Sequence, residues 1–219
     1  MTPHTIFDWS RQARTGIPEV VYAESKSVEQ VSDVLRDHIS RRVPLLLTRL
    51  TAAQIEALAD FPLEMDKTAR TASYLMPEIQ DSARKVAIVT AGTSDLPVAK
   101  EVNFCAHFLG LNARIFPDIG VAGLWRLEKH LENLSSYPLI IAVAGMEGAL
   151  FSVLAGLVKA PVIAVPTSVG YGVSADGHVA LSSALASCAP GVVTVNIDNG
   201  FGAAVAAKKM LDMNWSDND

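Results

Sequence analysis

From Lys85 onward, short apolar and β-branched runs alternate with helical stretches, and this alternation restricts the fold more than any other feature of the chain. The runs are KVAIVTA (85–91), ARIFPDI (113–119), PLIIAVA (138–144), APVIAVP (160–166) and GVVTVNI (191–197). Continuous apolar runs of strand length are what a strand buried on both faces requires. Between them, 95–109, 122–134, 147–158, 176–187 and 199–211 read as helices. Strict alternation of this kind predicts an α/β domain: a three-layer parallel sheet with right-handed crossovers and helices on both faces. In such sheets the ligand crevice opens beyond the carboxyl ends of the strands.

The first 80 or so residues are different in character and carry most of the arginines, among them Arg11, Arg14, Arg36, Arg41, Arg42, Arg49 and Arg70. They read as a charged lead-in, a helix near 28–40, a strand at VPLLLTR (43–49) and a helix at TAAQIEALAD (51–60). The Thr-x-x-Gln start of that second helix predicts a capping box. Residues 61–83, with Pro62, Pro77 and many short side chains, read as a polar connection. The boundary is placed near 80–84, giving a small α/β amino-terminal domain (1–80) and a larger one (81–219). The tail DMNWSDND reads as frayed.

Composition narrows the function. A net charge of −5 gives no basic footprint for nucleic acid or an acidic membrane surface. No apolar stretch is long enough to span a bilayer, and MTPHTIFDWSRQARTG lacks a signal-peptide core. Two cysteines do not make a disulfide scaffold, so a reducing, cytoplasmic setting is expected.

Four segments at predicted strand ends carry polar groups suited to chemistry. In TAGTSDLPVA (90–99), Gly92 permits a tight turn, and Thr93, Ser94 and Asp95 supply polar groups at a helix start, as an anion site or as an ordinary N-cap. In VAGMEGALFS (143–152), Gly145, Met146 and Gly148 surround Glu147, which the helix dipole favours as the anion. It is a base, or a surface residue complementing the dipole. In PTSVGYGVSADGH (166–178), Thr167, Ser168 and Tyr171 could hydrogen-bond a polar ligand, or the loop is a plain connection. His178 is assigned no role. Asn196, Asp198 and Asn199 in NIDNGFGAA (196–204) supply further polar groups: Asp198 could hold a metal or a ribose, or cap the last helix. No zinc, haem, Walker, GxGxxG or GxSxG pattern is present.

The two thiols divide. Cys105 falls inside a predicted helix and reads as a small buried hydrophobe. Cys188 ends a predicted helix in ALASCAPGVV, where a nearby cation such as a bound pyridinium ring would make it a useful nucleophile.

Taken together, TAGTSDLPVA, DIGVAGLWRL, VAGMEGAL, PVIAVPTSVGYG and SCAPGVVTVNIDNGFGA resemble the LarB family, and TGIPEVVYAESKSVEQV (15–31) is similar to its amino-terminal signature. One departure is Phe151, where a proline usually follows the AGMEGAL run. The family comprises pyridinium-3,5-biscarboxylic acid mononucleotide synthases, the first enzymes of nickel-pincer cofactor assembly. The carboxyl-terminal part also resembles the PurE family of aminoimidazole ribonucleotide carboxylases and mutases, with a flavodoxin-like fold. PurE enzymes use a histidine in an Ala-His-Arg motif, and here that place reads DIGVAGLWR (118–126).

The resemblance implies carboxylation of nicotinic acid adenine dinucleotide at ring carbon 5 by carbon dioxide or bicarbonate, with hydrolysis of the phosphoanhydride and release of AMP. It implies Cys188 as the adduct-forming thiol, Glu147 as the base, and magnesium on the phosphates, with ligands that the sequence does not reveal. It also implies a homo-oligomer, of eight subunits, expected to associate through apolar, small-residue helices such as 199–211. Two rivals remain: an aminoimidazole ribonucleotide carboxylase or mutase, and a non-catalytic nucleotide sensor on the same fold.

Overall fold

The computed structural model describes residues 5–80 and 84–213, so the tip of the tail and the centre of the expected boundary lie outside the described residues. The amino-terminal unit contains α1 (Arg11–Thr15), β1 (Val21–Tyr22), α2 (Val28–Arg41), β2 (Leu45–Thr48), α3 (Ala52–Ala57), β3 (Glu64–Asp66) and β4 (Thr71–Tyr74). Its sheet runs β1-β2-β4-β3, with β1 parallel to β2 and the other pairs antiparallel. Leu45, Leu46 and Leu47 are fully buried in β2, and each such side chain contributes roughly 1.5–3 kcal/mol.

Local sequence sets the helix starts. Ser27 and Gln30 form a reciprocal capping box at α2. Thr51 and Gln54 form the expected one at α3, with Gln54 Oε1 accepting from the Thr51 amide at 2.8 Å. Gln54 is buried, and its side-chain amide also donates to the carbonyls of Ala23 and Lys26 at 2.9 and 2.8 Å. That ties the β1–α2 connection to α3.

The stretch 61–83 is not a polar connection throughout, because it contains the β3–β4 hairpin. Thr71, Ala72 and Ser73 are buried with small side chains, so no large apolar run betrays the strand. Asp66 Oδ1 accepts the amides of Thr68 and Ala69 at 2.8 and 3.0 Å, and this turn redirects the chain.

The second unit contains β5 (Lys85–Thr90), α4 (Leu96–Phe108), β6 (Asn112–Phe116), α5 (Leu124–Glu128), α6 (Leu131–Leu134), β7 (Ile140–Ala144), α7 (Ala149–Ala155), β8 (Val162–Pro166), α8 (His178–Leu185), β9 (Val192–Thr194) and α9 (Gly200–Asp212). All five strands pair in parallel in the order β6-β5-β7-β8-β9. This is the flavodoxin-like order, in which the connection reverses between β5 and β7. One face packs against α4 and α9, the other against α5 to α8.

The expected strands and helices are present, several of them shortened. The helix expected over 122–134 is two pieces, α5 and α6. The one expected over 176–187 begins only at His178, after an irregular 3₁₀ segment, Gly172–Gly177. The last strand stops at Thr194, and residues 195–199 form a turn, with Asp198 at φ 53°, that stays tied to β8 through the Val195 and Asp198 amides, which donate to the Ala164 and Pro166 carbonyls at 3.1 and 2.8 Å.

The small residues of α9 face inward. Ala203, Ala204 and Ala207 are fully buried. A Cβ on Gly200 would come within 2.7 Å of a Glu101 carboxylate oxygen on α4. This face of α9 packs against α4 of the same chain. Ile17 and Leu46 of the amino-terminal unit join this cluster, whereas Leu45 and Leu47 pack into a separate core of that unit with Val31, Leu35 and Leu50.

Candidate functional site

At the switch between β5 and β7 a crevice of about 600 Å³ opens beyond the strand ends. It is walled by the segments that follow β5, β6, β7 and β8. Their close approach depends on missing side chains. A Cβ on Gly145 would stand 2.1 Å from the Val169 carbonyl oxygen, and one on Gly120 would stand 2.5 Å from that of Ala91. Met146 follows at φ 56°, with its amide donating to the Val169 carbonyl at 2.8 Å.

Asp95 forms the floor. Its carboxylate accepts from the Gly92 amide at 2.9 Å and from the Thr167 hydroxyl at 2.7 Å. Burial pushes the Asp95 pKa up, while the bonds from Thr167, Gly92 and Gly145 pull against that rise. Asp95 is thus a fixed acceptor that joins the β5 and β8 loops. Glu147 contrasts with it: exposed, two residues before α7, and without a side-chain hydrogen bond or ion pair among the described residues. A carboxylate at that place is free to meet a ligand.

Of the residues singled out by sequence, Gly92, Ser94, Asp95, Gly145, Met146, Glu147 and Tyr171 line this crevice. Thr93 is exposed beside it. Thr167 lies buried beneath, bonded to Asp95. Gly148, at φ 63°, caps α7 directly above the Phe151 ring, to which a Cβ would come within 2.7 Å. The departure at Phe151 therefore fills the core and does not reach the crevice. The Ser168 amide donates to the Asp198 carboxylate at 2.9 Å. Asn196 and Asn199 border a second cavity of about 310 Å³ between the two units, with Arg49 and Glu101. His178 is exposed at the start of α8.

The cysteines separate as well. Cys105 is fully buried, and burial pushes its thiol far above the usual range. Cys188 is exposed on the loop between α8 and β9. That loop enters the sheet at the amino end of a strand, and Cys188 is not among the residues lining the crevice. The single chain brings Asp95 and Glu147 together and leaves the thiol apart from them.

Sequence reasoning missed Gly120, Val121 and Ala122 as crevice walls, although DIGVAGLWRL was noted. In that segment Asp118 adopts φ 55°, and its carboxylate accepts from Arg126 at 2.8 Å. Arg49 and Glu101 were missed because each lies in an ordinary helical or charged context, and only the packing of the two units joins them. Among the described residues no group of three or more His, Cys, Asp or Glu could hold a metal ion.

Two family descriptions divide the chain at the same place as the two sheets. Residues 3–75 match the LarB/PurE-like N-terminal domain, and residues 85–218 match AIR carboxylase. The chain belongs to the LarB family. An uncharacterized protein of Methanocaldococcus jannaschii is 39% identical to it over 216 residues, spanning 91% of this chain and 81% of that protein. Among solved structures, Treponema denticola PurE aligns with a TM-score of 0.47 and 23% identity, covering 58% of this chain and 80% of that one. A PurE2 variant of the same organism aligns at 0.48 and 21%, covering 60% and 82%. The LarB member thus carries a carboxylase-type domain behind a small α/β unit, and among the described residues no helix is long and apolar enough to cross a membrane.

Proposed function

We propose that this LarB family member carboxylates the pyridinium ring of nicotinic acid adenine dinucleotide at carbon 5 and hydrolyses its phosphoanhydride, giving pyridinium-3,5-biscarboxylic acid mononucleotide and AMP. The observation that carries the reading is the pairing, in one chain, of the LarB amino-terminal domain with an AIR-carboxylase-type crevice that presents an unpartnered carboxylate, Glu147.

The chemistry explains why a thiol is needed as well. A pyridinium is an electrophile and cannot attack carbon dioxide. Addition of the Cys188 thiolate forms a carbon–sulfur bond and moves a ring electron pair onto nitrogen, leaving a dienamine nucleophilic at carbon 5. Carbon 5 bonds to carbon dioxide, Glu147 takes the proton from carbon 5, and the nitrogen lone pair expels the thiolate, restoring the aromatic ring. Water then cleaves the phosphoanhydride. Because Cys188 lies off the crevice of its own chain, the thiol is supplied by a second copy in a homo-oligomer, for which eight subunits are expected. Magnesium stays with the substrate phosphates in this reading, and no step depends on a protein-held ion.

The second reading, an aminoimidazole ribonucleotide carboxylase or mutase, is favoured by the AIR carboxylase match over 85–218. Against it, the segment DIGVAGLWR has no histidine, and its arginine is engaged with Asp118. The test is to incubate the protein with the dinucleotide, bicarbonate and magnesium, in parallel with aminoimidazole ribonucleotide and bicarbonate, and to follow products by mass spectrometry. The dicarboxylated mononucleotide and AMP are expected. Carboxylation of the aminoimidazole alone would replace the first reading with the second.

A further inference from the structure

The amino-terminal unit reaches the network behind the crevice through Arg49. Its guanidinium donates to the backbone carbonyl of Asp198, 149 positions along the chain. Asp198 stands at φ 53°, and in this turned position its carboxylate accepts the Ser168 amide at 2.9 Å. Ser168 adjoins Thr167, whose hydroxyl is held by Asp95 at 2.7 Å. The same loop continues to Val169, Gly170 and Tyr171 in the crevice wall.

Arg49 is itself held from behind. It sits at φ 55° between β2 and α3. The Arg70 guanidinium donates to the carbonyls of Leu50 and Arg49 at 2.7 and 3.2 Å, and to Glu24 at 2.9 Å. Glu24 also accepts from the Tyr22 hydroxyl at 2.5 Å. Arg49 thus keeps an unfavourable backbone angle while its own carbonyl is held by Arg70.

We propose that Arg49 is a positioning residue for the crevice: by pinning the Asp198 turn it fixes the 167–171 loop, which makes the amino-terminal unit part of the binding machinery. The consequence for a dinucleotide substrate rests on the carboxylation reading, whereas the pinning itself does not.

The test is hydrogen exchange of the Ser168 amide in the full chain, without substrate. Arg49→Met removes the donor and keeps the length of the side chain. Loss of a charge-assisted bond should speed Ser168 exchange on the order of tenfold, while the β2 and β4 amides stay protected. Arg49→Lys, able to offer one donor on a shorter reach, should fall between. In an Asp198→Gly background, which keeps the turned backbone but removes the carboxylate, Arg49→Met should add nothing at Ser168. If Arg49→Met does not fold, Arg49→Lys decides. Unchanged Ser168 exchange in the folded variants, or a full additional effect in the Asp198→Gly background, would overturn the proposal. In the carboxylation assay, Arg49→Met should raise KM for the dinucleotide more than it lowers kcat. A wild-type protein with no carboxylation would sink the reaction assignment and leave the exchange result standing.

Discussion

The crevice and the Cys188 loop are built on opposite principles. In the crevice, backbone segments press together across glycines, and the one buried carboxylate, Asp95, is fully engaged. The Cys188 loop is exposed, and its fixed contact nearby is the Ser187 hydroxyl on the Ser152 hydroxyl at 2.8 Å. The difference teaches that one chain provides a shaped recess with an exposed carboxylate, Glu147, and presents its exposed thiol elsewhere. A covalent reaction using both makes assembly part of catalysis.

The sharpest way to break that contrast is to remove the thiol. Cys188→Ser should abolish carboxylation with the fold intact, since an alkoxide is far harder to generate near neutral pH than a thiolate. Full turnover by this variant would leave the crevice as the whole site. Glu147→Gln should bind the dinucleotide but lose roughly 10²–10⁴ in rate. Near-normal kcat would reduce Glu147 to a partner of the helix dipole. Mixing the two inactive variants, unfolded and refolded together, then decides where they meet. If thiol and base come from different copies, random mixing should restore about a quarter of wild-type activity. No recovery in proven mixed oligomers would place both in one chain.

Two smaller effects test the interior on either side of the comparison. Glu101 is buried on α4, and its pKa is raised from 4.5 to about 7 by burial, with Arg49, the Gly200 amide and Arg70 opposing and Asp198 reinforcing. The folded state therefore holds a proton that the unfolded chain releases first. This stabilisation is complete below about pH 4.5 and is lost as pH rises through about 7. The loss is on the order of 3 kcal/mol. Glu101→Gln should remove this slope in urea midpoints measured between pH 4 and pH 8, and should raise stability at the alkaline end. A wild-type-like slope would exonerate Glu101. Cys105→Ser should keep activity and cost about 1–3 kcal/mol for a hydroxyl placed in the apolar core, read as a lower Tm. Lost activity at retained stability would bring this thiol into the reaction.

Much of the fold was legible because its signals are local. Ile140–Ala144 and Val162–Pro166 are apolar throughout since both their faces are buried. The Thr51–Gln54 capping box is readable from four letters. The β3–β4 hairpin was not, because Thr71, Ala72 and Ser73 are buried as small and hydroxyl side chains that resemble loop composition. In the site, Gly92, Asp95, Gly145 and Glu147 could be placed from strand ends alone. Gly120 could not, since its need for a bare Cα comes from Ala91, on a different strand end. Arg49 and Asp198 meet across most of the chain, and no spacing announces such a pair.

The apolar contact between the two units has a practical side. Ile17 and Leu46 pack into the same cluster as Val102, Ala203 and Ala207. A polypeptide nicked in the 76–84 connection would yield two fragments, each displaying an oily half-face that fits the other. Expressed alone, either piece should clump. Expressed together, they should find each other, which turns this molecule into a natural pair of complementing fragments.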